Sequence, residues 1–146
     1  IGQSVVQITP LQLARAYCVF ANGGWLVTPH LADQGLDWTA PSRRSKLSIK
    51  PSTLAMIREG LRKVVEEGTG YGLNGEGIPP SAGKTGTAED STGGPDHAWF
   101  ASYAPYPNGE IVVVAFAQNT PGGGSVHALP MAKKVIEVWN RNRKQT

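Results

Sequence analysis

Ser81-Ala82-Gly83-Lys84-Thr85-Gly86-Thr87-Ala88-Glu89 is the stretch whose reading decides the fold. It sets one lysine and two threonine hydroxyls among two glycines, with little side-chain bulk. Pro80, Gly83 and Gly86 oppose a helix, because proline removes a backbone donor and glycine costs about 1 kcal/mol in a helix interior. We therefore read residues 81–89 as a strand. Such a strand offers main-chain N–H groups, Thr85 and Thr87 hydroxyls and the Lys84 ammonium along an edge that a peptide can approach closely. Those donors suit a ligand with a carbonyl and a terminal carboxylate. A nucleophile has to come from elsewhere.

Two further extended runs follow, at about 97–104 and 110–118, joined by the tight link Pro107-Asn108-Gly109. They read as antiparallel neighbours. Gly122-Gly123-Gly124 reads as a flexible turn. A terminal helix then carries Ala132, Val135, Ile136 and Trp139 on one apolar side, which can cover one face of the sheet. Upstream, Thr9 fits an N-cap with Gln12 three residues later and Pro10 at the first helical position. Leu11, Ala14, Tyr17, Cys18 and Ala21 recur at helical spacing until Asn22-Gly23-Gly24 stops the helix. Residues 25–28 form a short extended run, and 31–47 a polar excursion with room for one short strand. A second helix over 51–67 places Leu54, Ile57, Leu61, Val64 and Val65 in one stripe. Arg58, Glu59, Arg62, Lys63, Glu66 and Glu67 are then expected to face water.

A phosphate-cradling loop needs Gly, four residues, then Gly-Lys-Ser/Thr. Gly83-Lys84-Thr85 supplies the end, but Ile78 stands where the first glycine belongs, and Pro79-Pro80 lack the required N–H groups. A nucleotide is therefore a poor fit. The plainer alternative is a glycine-rich strand end carrying a solvated lysine.

Lys-Thr-Gly is also one of three motifs that penicillin-binding proteins and class A β-lactamases combine, with Ser-x-x-Lys and Ser-x-Asn. Further matches surround it: Ile1-Gly2-Gln3, Thr9-Pro10-Leu11-Gln12-Leu13-Ala14, Ala21-Asn22-Gly23-Gly24, Gly60-Leu61, Val64-Val65 and Gly68-Thr69-Gly70 before it. His97-Ala98-Trp99-Phe100, Tyr103-Ala104-Pro105 and Ile111-Val112-Val113-Val114 follow it. In order and spacing the chain resembles the class B penicillin-binding proteins, elongation type. That resemblance implies an α/β (α+β) fold, the C-terminal part of a penicillin-binding transpeptidase-like domain. It would hold a three-stranded antiparallel sheet with helices, with residues 1–146 as one portion of that domain.

The family pattern is incomplete. No serine here begins Ser-x-Asn or Ser-x-Asp. Ser81-Ala82-Gly83-Lys84 spells Ser-x-x-Lys, but its lysine already belongs to the triplet, and a catalytic pair should share one helical face. The resemblance therefore places the nucleophile before this region, and a first residue of Ile1 rather than Met fits a fragment or a processed chain. The implied activity is that of a serine D-Ala-D-Ala transpeptidase or carboxypeptidase that cross-links peptidoglycan, with this chain alone inactive. A non-catalytic penicillin-binding sensor module and a class D-type β-lactamase are the alternatives.

Under the resemblance, Lys84 supplies positive potential, while Thr85, Gly86 and Thr87 bind a stem peptide or a β-lactam. The Thr87 N–H would give one half of an oxyanion hole. The implied partners are the rest of the transpeptidase domain and a glycan-polymerising membrane protein. The implied location is the periplasmic or extracytoplasmic face, on an anchor outside this chain. An apolar edge at 110–118 is expected to pair with another segment or a second copy.

The remaining features are plain. A formal charge of +3, with basic clusters not interleaved with aromatics, points away from nucleic acid. No apolar run is long enough to span a bilayer. Cys18, the single cysteine, reads as packing. His30, His97 and His127 are isolated, so no metal site is expected, and no cofactor. Asp90 and Asp96 bracket a turn. Trp99, Phe100 and Trp139 read as core, and packing is the favoured role for Tyr71 and Tyr103.

Overall fold

The computed structural model describes residues 7–31, 43–90 and 92–145. The matches at Ile1-Gly2-Gln3 and most of the polar excursion lie outside them. Helix α1 covers Pro10–Ala21. The Thr9 hydroxyl accepts from the Gln12 N–H at 3.2 Å, and the Gln12 side chain accepts from the Thr9 N–H at 2.8 Å. This reciprocal cap satisfies two of the donors that a helix start leaves open. Asn22 ends the helix, its side chain bonding both main-chain groups of Trp25.

Strands β1 (Trp25–Val27) and β2 (Arg44–Lys46) form a small antiparallel pair beside α1. Helix α2 runs over Pro51–Glu66, followed by one 3-10 turn at Tyr71–Leu73. Then come β3 (Ala82–Ala88), β4 (His97–Ala104) and β5 (Ile111–Ala117), in spatial order β3-β4-β5 and antiparallel throughout. Register is set by pairs such as Thr85 with Phe100 and Phe100 with Ala115. A four-residue helix α3 (Gly123–Val126) leads into α4 (Ala128–Arg143).

The sheet is covered on both faces rather than on the single face expected. Strand β4 is buried from Phe100 to Ala104, and successive side chains of a strand point to opposite faces, so each face needs its own cover. On one side Ala98, Phe100, Val113 and Ala115 pack against Leu73 and against Ala128, Leu129, Ala132 and Ile136. On the other, Ala82, Ala101 and Tyr103 pack against Tyr17 and Ala21 of α1. Phe100 and Tyr103 are fully buried, whereas Trp99 and Trp139 are half-buried and Tyr71 is exposed.

Three expectations about helix faces need correction. Arg58 and Arg62 do not lie in water: Arg58 donates to the Pro107 carbonyl, and Arg62 donates to the Ser81 carbonyl at 2.8 Å and to Glu66 at 2.9 Å. Ile57, by contrast, is exposed, and only Val65 of the α2 stripe is fully buried. On α4, Val135 is exposed, and the inward side is completed by Asn140, whose amide donates to the Gly77 carbonyl at 2.8 Å. Among the described residues no helix is long and apolar enough to cross a membrane.

Candidate active-site strand

The sheet register explains what β3 can present. Thr85 and Thr87 stand opposite Phe100 and Ala98, on the α4 face, while Lys84 stands opposite Ala101, on the α1 face. Among the described residues the strand has one neighbour, β4, so alternate main-chain groups along its other edge point away from that sheet. Lys84 and Thr87 are exposed, and Thr85 and Gly86 are half-buried. The Lys84 ammonium donates to the Thr85 carbonyl at 2.8 Å, lying back along its own strand. All four predicted residues are thus extended and reachable on a rigid support.

Ser81 differs in every respect. It lies just before β3, is 1% exposed, and its hydroxyl donates to the Pro79 carbonyl at 2.7 Å. With its own carbonyl occupied by Arg62, it is held as a structural corner, not on a helix with Lys84.

Two contributions to the site depend on contacts remote in the chain, although Gly68-Thr69-Gly70 could already be read either as a helix stop or as a lining of the cleft. Gly122-Gly123-Gly124 is not a flexible turn: Gly123 and Gly124 are buried, and they press on β3 from its α4 face, the one that carries the Thr85 and Thr87 side chains. A Cβ on Gly124 would stand 2.2 Å from the Trp99 carbonyl oxygen and 2.6 Å from that of Gly86. One on Gly123, where φ is +71°, would reach within 2.4 Å of the Thr87 hydroxyl. At Gly124 main chain therefore lies directly on main chain, a contact only glycine permits, while at Gly123 it lies on the Thr87 side chain. Three consecutive glycines were the available signal, but composition cannot separate a loose loop from a close approach. Gly86 also has a packing reason, since a Cβ there would meet Trp99 Cβ at 3.3 Å.

The second contribution is Thr69. Gly68 and Gly70 both donate to the Val64 carbonyl, at 3.1 and 2.9 Å, which closes a turn with Thr69 at its apex. From there the Thr69 hydroxyl lies 2.7 Å from the Thr85 hydroxyl.

The histidines have structural partners where these are described. His97 Nδ1 accepts from the Asn119 N–H at 3.2 Å, with its ring edge-on to Phe116, and His127 Nε2 is 2.5 Å from the Pro121 carbonyl oxygen. Asp90 takes the Thr92 N–H and hydroxyl, which hold its carboxyl below the usual carboxylate range. The described residues contain no cluster of side chains able to hold a metal ion. A groove of about 470 Å³ runs between α1, β1 and the start of β5, lined by Leu11, Ala14, Cys18, Val27 and Val112 among others. It lies at the other outer strand. Burial pushes the Cys18 thiol up, as suits a packing cysteine.

Residues 1–137 match the penicillin-binding protein transpeptidase domain, and the chain belongs to that family. The peptidoglycan D,D-transpeptidase MrdA of Haemophilus influenzae is 34% identical over 98% of this chain and 25% of its own length. The crystal structure of Pseudomonas aeruginosa PBP2 in complex with WCK 5153 superposes with a TM-score of 0.80 at 32% identity, covering 95% of this chain and 31% of that one. Helicobacter pylori PBP2, in its complex with MreC, gives 0.77 at 26% identity, covering 99% and 26%. The chain spans about a quarter of the length of the curated relatives it matches.

Proposed function

We propose that residues 1–146 form the C-terminal portion of a peptidoglycan D,D-transpeptidase domain and supply its substrate-binding strand. The observation that carries this reading is the exposure of Lys84 and Thr87 on an extended strand that is otherwise backed by packed core. A serine outside this chain attacks the carbonyl of the penultimate D-Ala of a stem peptide. The serine oxygen–carbon bond forms, negative charge collects on the carbonyl oxygen, and the Thr87 N–H meets it. Collapse breaks the C–N bond, the terminal D-Ala leaves as an amine carrying the proton that the serine hydroxyl gave up, and an acyl-enzyme remains. The amine of a second stem peptide then attacks the ester, completing the cross-link and freeing the serine.

Before the chemistry, the Thr85 and Thr87 hydroxyls bind the terminal carboxylate, and Lys84 supplies the positive potential that draws it in. A β-lactam carries a similar carboxylate beside a reactive amide and takes the same path as far as the acyl-enzyme. This chemistry belongs on the outer side of the cell membrane, where the substrate lies. The MreC complex of the Helicobacter pylori neighbour supports a protein partner.

Labelling with a fluorescent penicillin tests the proposal. In the intact protein Lys84→Ala should slow acylation by a factor on the order of 100, as loss of one pre-organised electrostatic group does. Unchanged acylation removes the role given to Lys84. The labelled serine should lie outside residues 1–146; stoichiometric label on a serine within them would refute the division of labour.

A further inference from the structure

We propose that Thr69 is a positioning residue for the carboxylate subsite, acting through the hydroxyl of Thr85; this rests on the reading of β3 given above. Each hydroxyl owns a single proton, so a pair 2.7 Å apart can be ordered in only two ways. If Thr85 donates to Thr69, it turns only lone pairs toward the groove and repels a carboxylate. If Thr69 donates to Thr85, the Thr85 proton is released for the ligand. A carboxylate accepts and never donates, so it selects the second order. The chain then runs Thr69 to Thr85 to carboxylate, each bond polarising the next.

The geometry suits a fixed donor rather than a chance contact. Thr69 stands at the apex of a turn pinned at both glycines to the Val64 carbonyl, and a Cβ on Gly68 would lie 3.0 Å from Val64 Cα. The following 3-10 turn is held in its place by Lys133 of α4, which donates to the Gly72 carbonyl at 2.7 Å and to that of Asn74 at 2.5 Å. Asn74 in turn donates to the Val65 carbonyl at 2.6 Å. Threonine itself is restricted at χ1, which limits the directions open to the hydroxyl oxygen. Thr85 sits on a strand in register with fully buried Phe100. Both oxygens are thus placed by the fold, and only the protons remain to be ordered.

The test compares acylation of the intact protein by benzylpenicillin and by its methyl ester, in which the carboxylate is masked. Thr69→Val, nearly isosteric, should slow benzylpenicillin acylation about tenfold, chiefly by raising the half-saturating concentration rather than lowering the maximal rate. The methyl ester should react as with the unmodified protein. Thr69→Ser should recover most of the loss, and Thr69→Val added to Thr85→Val should cost nothing further. Equal loss on both compounds, or a full extra loss in the Thr85→Val background, would mean that Thr69 only supports the turn, and would overturn the proposal. So would an unimpaired Thr69→Val where Thr85→Val is impaired. If instead neither Lys84→Ala nor Thr85→Val slows acylation, the reading of β3 itself fails and the inference falls with it. Should Thr69→Val fold poorly, Thr69→Ala must show the same selectivity for the free acid.

Discussion

Strands β3 and β5 are the two outer strands of one sheet, seven residues each, paired to the same central strand. Their materials are opposite. Strand β5 is Ile-Val-Val-Val-Ala-Phe-Ala, with no exposed residue, and lies between α1 and α4. Strand β3 is Ala-Gly-Lys-Thr-Gly-Thr-Ala, with two exposed residues, and is braced by main chain at Gly123 and Gly124. The difference teaches how a sheet can offer a binding surface without losing its order. Side-chain volume on β4 and β5 supplies burial, which stabilises by roughly 25 cal/mol for each Å² of apolar area. That leaves β3 free to be thin.

The strongest way to break this comparison is Gly124→Ala. The added methyl meets two carbonyl oxygens that cannot turn aside, so stability should fall by about 3 kcal/mol and β3 should shift. Chemical denaturation together with penicillin labelling checks it; a variant that folds and labels normally would show that β3 needs no brace from Gly124. The β5 side is probed by pH. Burial pushes the Tyr17 phenol up to about 12, with Tyr103 adding to the effect. The folded state therefore disfavours the ionised form, so this contribution is intact below pH 10 and is lost as pH rises toward 12. The loss should reach about 2–3 kcal/mol by denaturant titration. Burial raises Tyr103 as well, so Tyr17→Phe should reduce the slope rather than remove it. The smallest effect belongs to Glu110→Gln, at the start of β5. Its partner Arg143 is 2.8 Å away and both are solvent-facing, so stability should change by less than about 1 kcal/mol and labelling not at all. A larger loss would make that end of β5 more dependent on charge than on packing.

Much of this was legible in the residues because the signals were local. Thr9 with Gln12, the glycines after Asn22, and the apolar runs at 97–104 and 110–118 each specify their own element. The extended course of Lys84–Thr87 followed from Gly83 and Gly86. What was hidden depends on partners remote in the chain. Arg62 looks like a solvated helix residue until the Ser81 carbonyl arrives nineteen positions later to receive it. Leu73 follows the glycines that stop α2 and belongs to no apolar stripe in the sequence, yet it is fully buried under α4. The Gly122–Gly124 run has the composition of a hinge and the position of a wedge. Gly68-Thr69-Gly70 could be read as lining the cleft, but helix termination already explained its glycines, and nothing in its neighbourhood announces Thr85.

Bracing by glycine carries a mechanical consequence. Side chains that back a surface can change rotamer and let it yield to a larger ligand, whereas peptide groups in direct apposition have no such freedom. Strand β3 is therefore stiff in the manner of an anvil: at Gly86 its shape can change only if the backbone at Gly124 moves with it, not by a rotamer change in whatever lies against it.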